Sequence, residues 1–214
     1  RSRVRHADLG RALAAYGVVA VVPDLPNVMN LWGNGDALAE LVAQVLPLLD
    51  EVHIREDVSA AQYRALVADA RFLQFADVGW TAAPAPLAAW RALAGRSGHF
   101  NAWPDHCAAF DAGQPYVTVS ASSAFAHAGP GGDPSDAFIG LCRRLAAEVA
   151  QVVLVAPCEV DAAIMRKVQA ATGLPLLGLN LPVAQGIDVL GNARAHVGGR
   201  WHPGIFAATG GTPL

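Results

Sequence analysis

The sequence predicts an α/β protein built from two Rossmann-like parallel-sheet parts, and three observations carry that expectation. Short β-branched runs such as Val18–Val22 and Val152–Val155 have the continuous apolar character of strands covered on both faces. Amphipathic helices alternate with these runs, as crossover connections between parallel strands require. Glycine and proline fall between the segments and punctuate them.

The first part is read over residues 1–80. Val18–Val22 is a strand, and Ala37–Leu49 a helix with Leu38, Leu41, Val42, Val45 and Leu49 on one stripe. Pro47 ends that helix early because it has no N–H to donate. Glu51–Ile54 is a short strand. Ser59 is read as the next N-cap, with Gln62 three residues later completing a capping box. Arg71–Ala76 is the following strand. Residues 81–114, interrupted by Pro84, Pro86 and Pro104, read as a linker with one helix at Leu87–Ala94.

The second part, 115–214, alternates more regularly. Tyr116–Ser120 is a strand. Asp133-Pro134 is a cap followed by proline at the first helical position, and Phe138, Leu141, Cys142, Leu145 and Val149 recur at helical spacing. Val152–Val155 is a strand, Ala162–Ala171 a helix closed by Gly173, and Leu176–Leu179 a strand. Val183–Leu190 is a helix, Ala195–Gly198 a strand and Pro203–Ala208 a helix. This is a doubly wound unit.

Composition narrows the function. The 214 residues are 53% hydrophobic and 15% charged, which excludes a disordered chain. A net charge of −3 gives no electrostatic case for a nucleic-acid partner. No run approaches the roughly 18 apolar residues of a membrane helix. Cys107, Cys142 and Cys158 are odd in number and widely spaced, which argues against a disulfide framework or a zinc site and for a reducing, cytoplasmic compartment. No metal-ligand cluster or cofactor motif is visible. The chain opens on Arg1 without a secretory pattern and ends where a further strand would begin, so it reads as part of a longer protein.

The chemistry concentrates at Val197-Gly198-Gly199-Arg200-Trp201-His202-Pro203. A strand ends there, Gly198 and Gly199 permit a close turn, and a helix begins. Ligands of open α/β sheets bind outside the carboxyl ends of strands, and a helix start favours anions. The planar fork of Arg200 suits a carboxylate or phosphate. His202 is a candidate for proton transfer. His196 is read as a core or lining residue. Gly33-Asn34-Gly35-Asp36 is read as a turn, with a phosphate loop as the alternative.

The segment from Gly199 to Ala207, ending in Gly211-Thr212-Pro213, is similar to the Arg-x-His segment near the C-terminus of the polysaccharide pyruvyl transferase family. Ile54-Arg55-Glu56-Asp57-Val58-Ser59 resembles that family's Arg-Glu-x-x-Ser segment, and Asp77 stands where its following strand ends in Asp. Pro115–Ser120 resembles the strand that opens the C-terminal domain, and Asp161 resembles an Asp after the next strand. The resemblance implies a glycosyltransferase-B-like pair of domains. It also implies transfer of a pyruvyl group from phosphoenolpyruvate, or a similar small anion, to hydroxyls of a sugar or glycan acceptor. Arg200 would hold the donor, His202 would do acid–base work, and Gly198, Gly199, Arg55, Asp161 and Ser120 would line the site.

Two other readings stand beside it. One is a nucleotide-sugar glycosyltransferase or epimerase of the same architecture, against which stands the absence of any carboxylate between Arg200 and Leu214. The other is a non-catalytic relative, because Ser120-Ala121-Ser122-Ser123-Ala124 carries no basic residue.

Overall fold

The computed structural model describes residues 40, 42–44, 46–48, 52–55, 57–68, 72–74, 76–101, 110–122, 125, 132–149 and 151–214. The expected strand at Val18–Val22, the Gly33–Asp36 turn and Cys107 lie outside them. The chain divides into two compact units, Arg1–Val78 and Gly79–Leu214.

The first unit contains a parallel β-α-β element: β1 (Val52–Ile54), α1 (Asp57–Leu66) and β2 (Phe72–Gln74). Val52 registers with Phe72 and Ile54 with Gln74. Val42, Leu46, Val52, Ile54, Ala60 and Tyr63 form its core. The first expected helix is helical at Glu40 and 42–44, then tightens into a 3-10 turn at Leu46–Leu48 around Pro47. Two boundaries differ from expectation: β2 does not include Ala76, and the start of α1 is shifted. Helix α1 starts at Asp57, so Ser59 is its third residue and not its cap. The acidic Asp57 suits the positive end of the helix dipole and draws the start forward.

The second unit begins with α2 (Leu87–Ala94) and continues β3 (Tyr116–Ser120), α3 (Pro134–Glu148), β4 (Gln151–Val155), α4 (Glu159–Thr172), β5 (Leu176–Leu177), α5 (Val183–Gly191), β6 (Ala195–Val197) and α6 (Trp201–Thr209). Its four strands form a parallel sheet in the order β5-β4-β3-β6. The chain winds outward from β3 through β4 to β5, then returns to the other side of β3. The winding direction therefore reverses between β3 and β6, and that reversal opens a crevice at the carboxyl edge.

Both faces of the sheet are covered. On one, Tyr116, Val153, Val155 and Leu177 pack with Trp90, Val189, Leu190 and Ala207 from α2, α5 and α6. On the other, Val119, Val152, Leu154 and Leu176 pack with Phe138, Cys142, Met165 and Val168 from α3 and α4. The described residues of 81–114 fall within this unit. Trp90 is fully buried there, the Ala85 N–H donates to Asp188 Oδ1 at 2.6 Å, and Asn192 Nδ2 donates to the Ala85 carbonyl at 3.0 Å. Prolines blur the helical pattern of this stretch, but its aromatic side chains give it a place in the core.

Caps fix the helix ends. Asp133 Oδ1 accepts from the Ser135 N–H at 2.9 Å, with Pro134 opening α3. Gly173 ends α4 at φ +70°, its N–H reaching the Gln169 carbonyl at 2.8 Å. An added Cβ at Gly173 meets nothing within 4 Å, so Gly173→Ala is opposed by backbone conformation alone. It is expected to cost about 1 kcal/mol. Gly140→Ala, inside α3 with only Arg144 Nη1 at 3.9 Å, is expected to stabilise by about 0.5–1 kcal/mol. Urea denaturation of the two variants checks these opposite signs.

Candidate functional site

At the carboxyl edge of the second sheet a cleft of about 460 Å³ is bounded by the ends of β4 and β5 and by the start of α6. Val155, Leu177, Leu179, Leu190 and Phe206 supply its apolar wall, and Cys158, Arg200, Trp201 and His202 its rim. Two of the sequence-predicted residues, Arg200 and His202, therefore line one concavity.

Helix α6 begins two residues earlier than the sequence reading placed it. Arg200, in extended conformation at φ −98°, ψ 135°, is its N-cap residue. Pro203 sits in the first turn, where its missing N–H costs no helical bond. His202 is the second helical residue. It is exposed, with its ring centroid 6.2 Å from that of Phe206.

Arg200 meets a partner that the sequence had assigned a separate role. Its Nε donates to Asp161 Oδ2 at 2.6 Å and its Nη2 to Asp161 Oδ1 at 3.0 Å. Nη2 also donates to Cys158 Sγ at 2.7 Å. Asp161 lies in the first turn of α4 and is fully buried. This hydrogen-bonded carboxylate raises the Arg200 pKa further and holds the guanidinium charged. Three of the five N–H groups of the fork are thus committed, and Nη1 keeps its two. The ion pair ties the start of α6 to the start of α4 and presents little net charge to the cleft.

Gly198 and Gly199 are required for close approach, and neither has a positive φ. A Cβ on Gly198 would stand 2.1 Å from Ser120 Oγ and 2.8 Å from His196 Nε2, and one on Gly199 would stand 2.8 Å from Ser122 Cβ. The turn after β6 is pressed onto the end of β3. Ser120 is fully buried at that end, on the same strand as buried Thr118. Thr118 Oγ1 and His196 Nδ1 are 3.0 Å apart.

Arg55 belongs to the first unit, where its Nη1 pairs with Asp77 Oδ2. This ion pair joins the residue after β1 to the region after β2. Among the described residues no group of three His, Cys, Asp or Glu is arranged to hold a metal ion. No described helix is long and apolar enough to cross a membrane.

Cys158 and Thr118 were missed by sequence reasoning. For Thr118 the signal was present: Tyr116-Val117-Thr118-Val119-Ser120 places three hydroxyls, of Tyr116, Thr118 and Ser120, on alternate residues of the strand, hence on one face. For Cys158 the signal was its position just after β4, at the mouth of a strand-end crevice.

His196 is 2% exposed, and burial pushes its pKa down from 6.5 to about 4. Between those values the unfolded chain binds the proton and the folded chain does not. This contribution is therefore complete above about pH 6.5 and is lost as pH falls towards 4. It amounts to about 3 kcal/mol. Wild type should lose that much more stability than His196→Gln between pH 7 and pH 4, as read by chemical denaturation. Equal losses would mean that the ring gains a partner on protonation.

The chain matches no known family model and no curated protein sequence.

Proposed function

We propose that this chain is a polysaccharide pyruvyl transferase-like enzyme of glycosyltransferase-B architecture. It would transfer a pyruvyl group from phosphoenolpyruvate to hydroxyls of a sugar or glycan in a reducing, cytoplasmic setting. The supporting observation is that Arg200 and His202 line one cleft at the carboxyl ends of parallel strands. The Asp161 clamp fixes the plane of the guanidinium, so that the Nη1 edge remains for a donor carboxylate or phosphate. The free thiols of Cys142 and Cys158 agree with a reducing compartment.

In this reading the donor's enol carbon gains a proton, the attacking sugar hydroxyls lose theirs and phosphate leaves as the ketal forms. His202, exposed on the rim, is positioned for one of these transfers, and an imidazole can both give and take a proton.

One observation favours a second reading. The charge of Arg200 is matched by a buried carboxylate, which suits a non-catalytic relative that binds a neutral glycan. Incubation with phosphoenolpyruvate and a glycan acceptor separates the two. The enzyme releases phosphate and adds a ketal methyl group, whereas the binding protein does neither. Turnover of a nucleotide sugar instead would replace both readings with a glycosyltransferase or epimerase.

A further inference from the structure

The cleft is larger and more apolar than its rim chemistry requires. Phosphoenolpyruvate is a small, polar molecule, and the groups proposed to meet it, Arg200 and His202, stand at the rim. The walls behind them come from Leu177 and Leu179, at and after the end of β5, from Leu190 on α5 and from Phe206 on α6. A volume of about 460 Å³ suits a drug-sized ligand.

Helices α5 and α6 shape this space. They touch at their far ends, where a Cβ on Gly210 would stand 2.1 Å from the Gly191 carbonyl oxygen. Nearer their starts the cleft is lined by Val183, Gly186 and Leu190 of α5 and by Pro203 and Phe206 of α6. Residues three and four apart lie on one face of a helix, so Val183, Gly186 and Leu190 form a single stripe towards the cleft. The two ends of that stripe are apolar side chains, and its middle is a glycine.

Neither backbone nor packing requires that glycine. Gly186 has no positive φ, and an added Cβ meets nothing within 4 Å. Gly191 on the same helix is the opposite case, since its Cβ would stand 2.6 Å from Pro84 Cγ. Glycine inside a helix is less stable than alanine. At Gly186 stability is given up and open space beside the cleft is kept.

Rim and walls together describe an amphipathic ligand. Its polar end meets Arg200 and His202, and its apolar end is favourably buried against Leu177, Leu190 and Phe206. In pyruvyl transfer the acceptor brings its hydroxyls to the rim. The group carried on its glycosidic oxygen is then the part left to fill the apolar space.

We infer that Gly186 is a specificity-determining residue, which keeps a slot open between α5 and α6 for the apolar aglycone of a glycoside acceptor. The inference rests on the pyruvyl-transferase reading for the sugar and on the cleft for the apolar group.

The probes are methyl, butyl and phenyl β-D-glucopyranoside, titrated by calorimetry into the full chain. The butyl and phenyl compounds are each expected to bind about 10- to 150-fold more tightly than the methyl compound, the range for burying a large apolar side chain. A gain for one of them alone keeps the slot and names its aglycone. Gly186→Leu fills the slot and is expected to bring the three affinities within about twofold of one another. Leucine is a good helix former, so urea denaturation is expected to find this variant at least as stable as wild type. If it fails to fold, Gly186→Ala takes its place, and its one methyl group is expected to narrow the preference about threefold. Equal affinities of wild type for the three glycosides, or no binding of any, would overturn the inference. So would a preference that survives Gly186→Leu. Phosphate release from phosphoenolpyruvate together with equal glycoside affinities would remove the slot and keep the proposed function. A preference lost in Gly186→Leu, with no binding of phosphoenolpyruvate, would keep the slot and remove that function.

Discussion

Replacing Arg200 with alanine is expected to destabilise the second unit by about 3–5 kcal/mol, far more than an exposed arginine would cost. Asp161 is the reason. Its side chain has no exposure, whereas that of Arg200 is 24% exposed. Removing the guanidinium takes away both carboxylate bonds, at 2.6 and 3.0 Å, and leaves a charge buried without compensation. The double variant Arg200→Ala, Asp161→Ala is expected to be more stable than Arg200→Ala alone, because the stranded carboxylate is then gone. Chemical denaturation of wild type, both single variants and the double variant gives the coupling between the two positions. A loss below about 1 kcal/mol in Arg200→Ala would mean that the pair behaves as a solvated surface bridge.

The second large effect is on turnover. His202→Ala is expected to lower the rate of pyruvyl transfer by about 10²–10⁴-fold while sparing donor affinity, because the proposed role is proton transfer. His202 is exposed on the first turn of α6. Its removal opens no cavity in the core, so a fall in rate would not reflect unfolding. A rate within a few-fold of wild type would assign the proton transfers elsewhere in the cleft.

Much of this architecture was legible because the second unit repeats one physical pattern. Tyr116–Ser120 and Leu87–Ala94 are found at the positions their sequence predicts, and the Asp133-Pro134 and Gly173 boundaries coincide with observed caps. Each is set by local chemistry: apolar spacing, a capping carboxylate, or a residue that tolerates positive φ. Ser59 was misread because Asp57 and Ser59 both suit a helix start and lie within one turn, and a sequence pattern does not choose between them. The described residues of 81–114 looked like a linker because their contribution comes from contacts distant in sequence, such as Ala85 with Asp188 and Asn192.

At the site, the glycine–arginine–histidine turn was visible as a strand end followed by a helix start. What sequence could not provide was the coupling across strands. Arg200 and Asp161 lie 39 positions apart, and Thr118 and His196 lie 78 apart. Only the order β5-β4-β3-β6 brings the ends of β4 and β6 within reach of one guanidinium. The same order puts a histidine beside two hydroxyls at the reversal of the sheet.

The most direct test of the account is a calorimetric titration of phosphoenolpyruvate into the wild-type protein and into Arg200→Lys. Lysine keeps a positive charge against Asp161 but has no fork, so the Nη1 contact to the donor is lost while the buried carboxylate keeps a partner. The account predicts saturable binding to wild type, weakened about 10- to 150-fold in Arg200→Lys, in keeping with a charge-assisted contact of about 1.5–3 kcal/mol. Equal affinities for the two proteins, or heat from a nucleotide sugar and none from phosphoenolpyruvate, would contradict it.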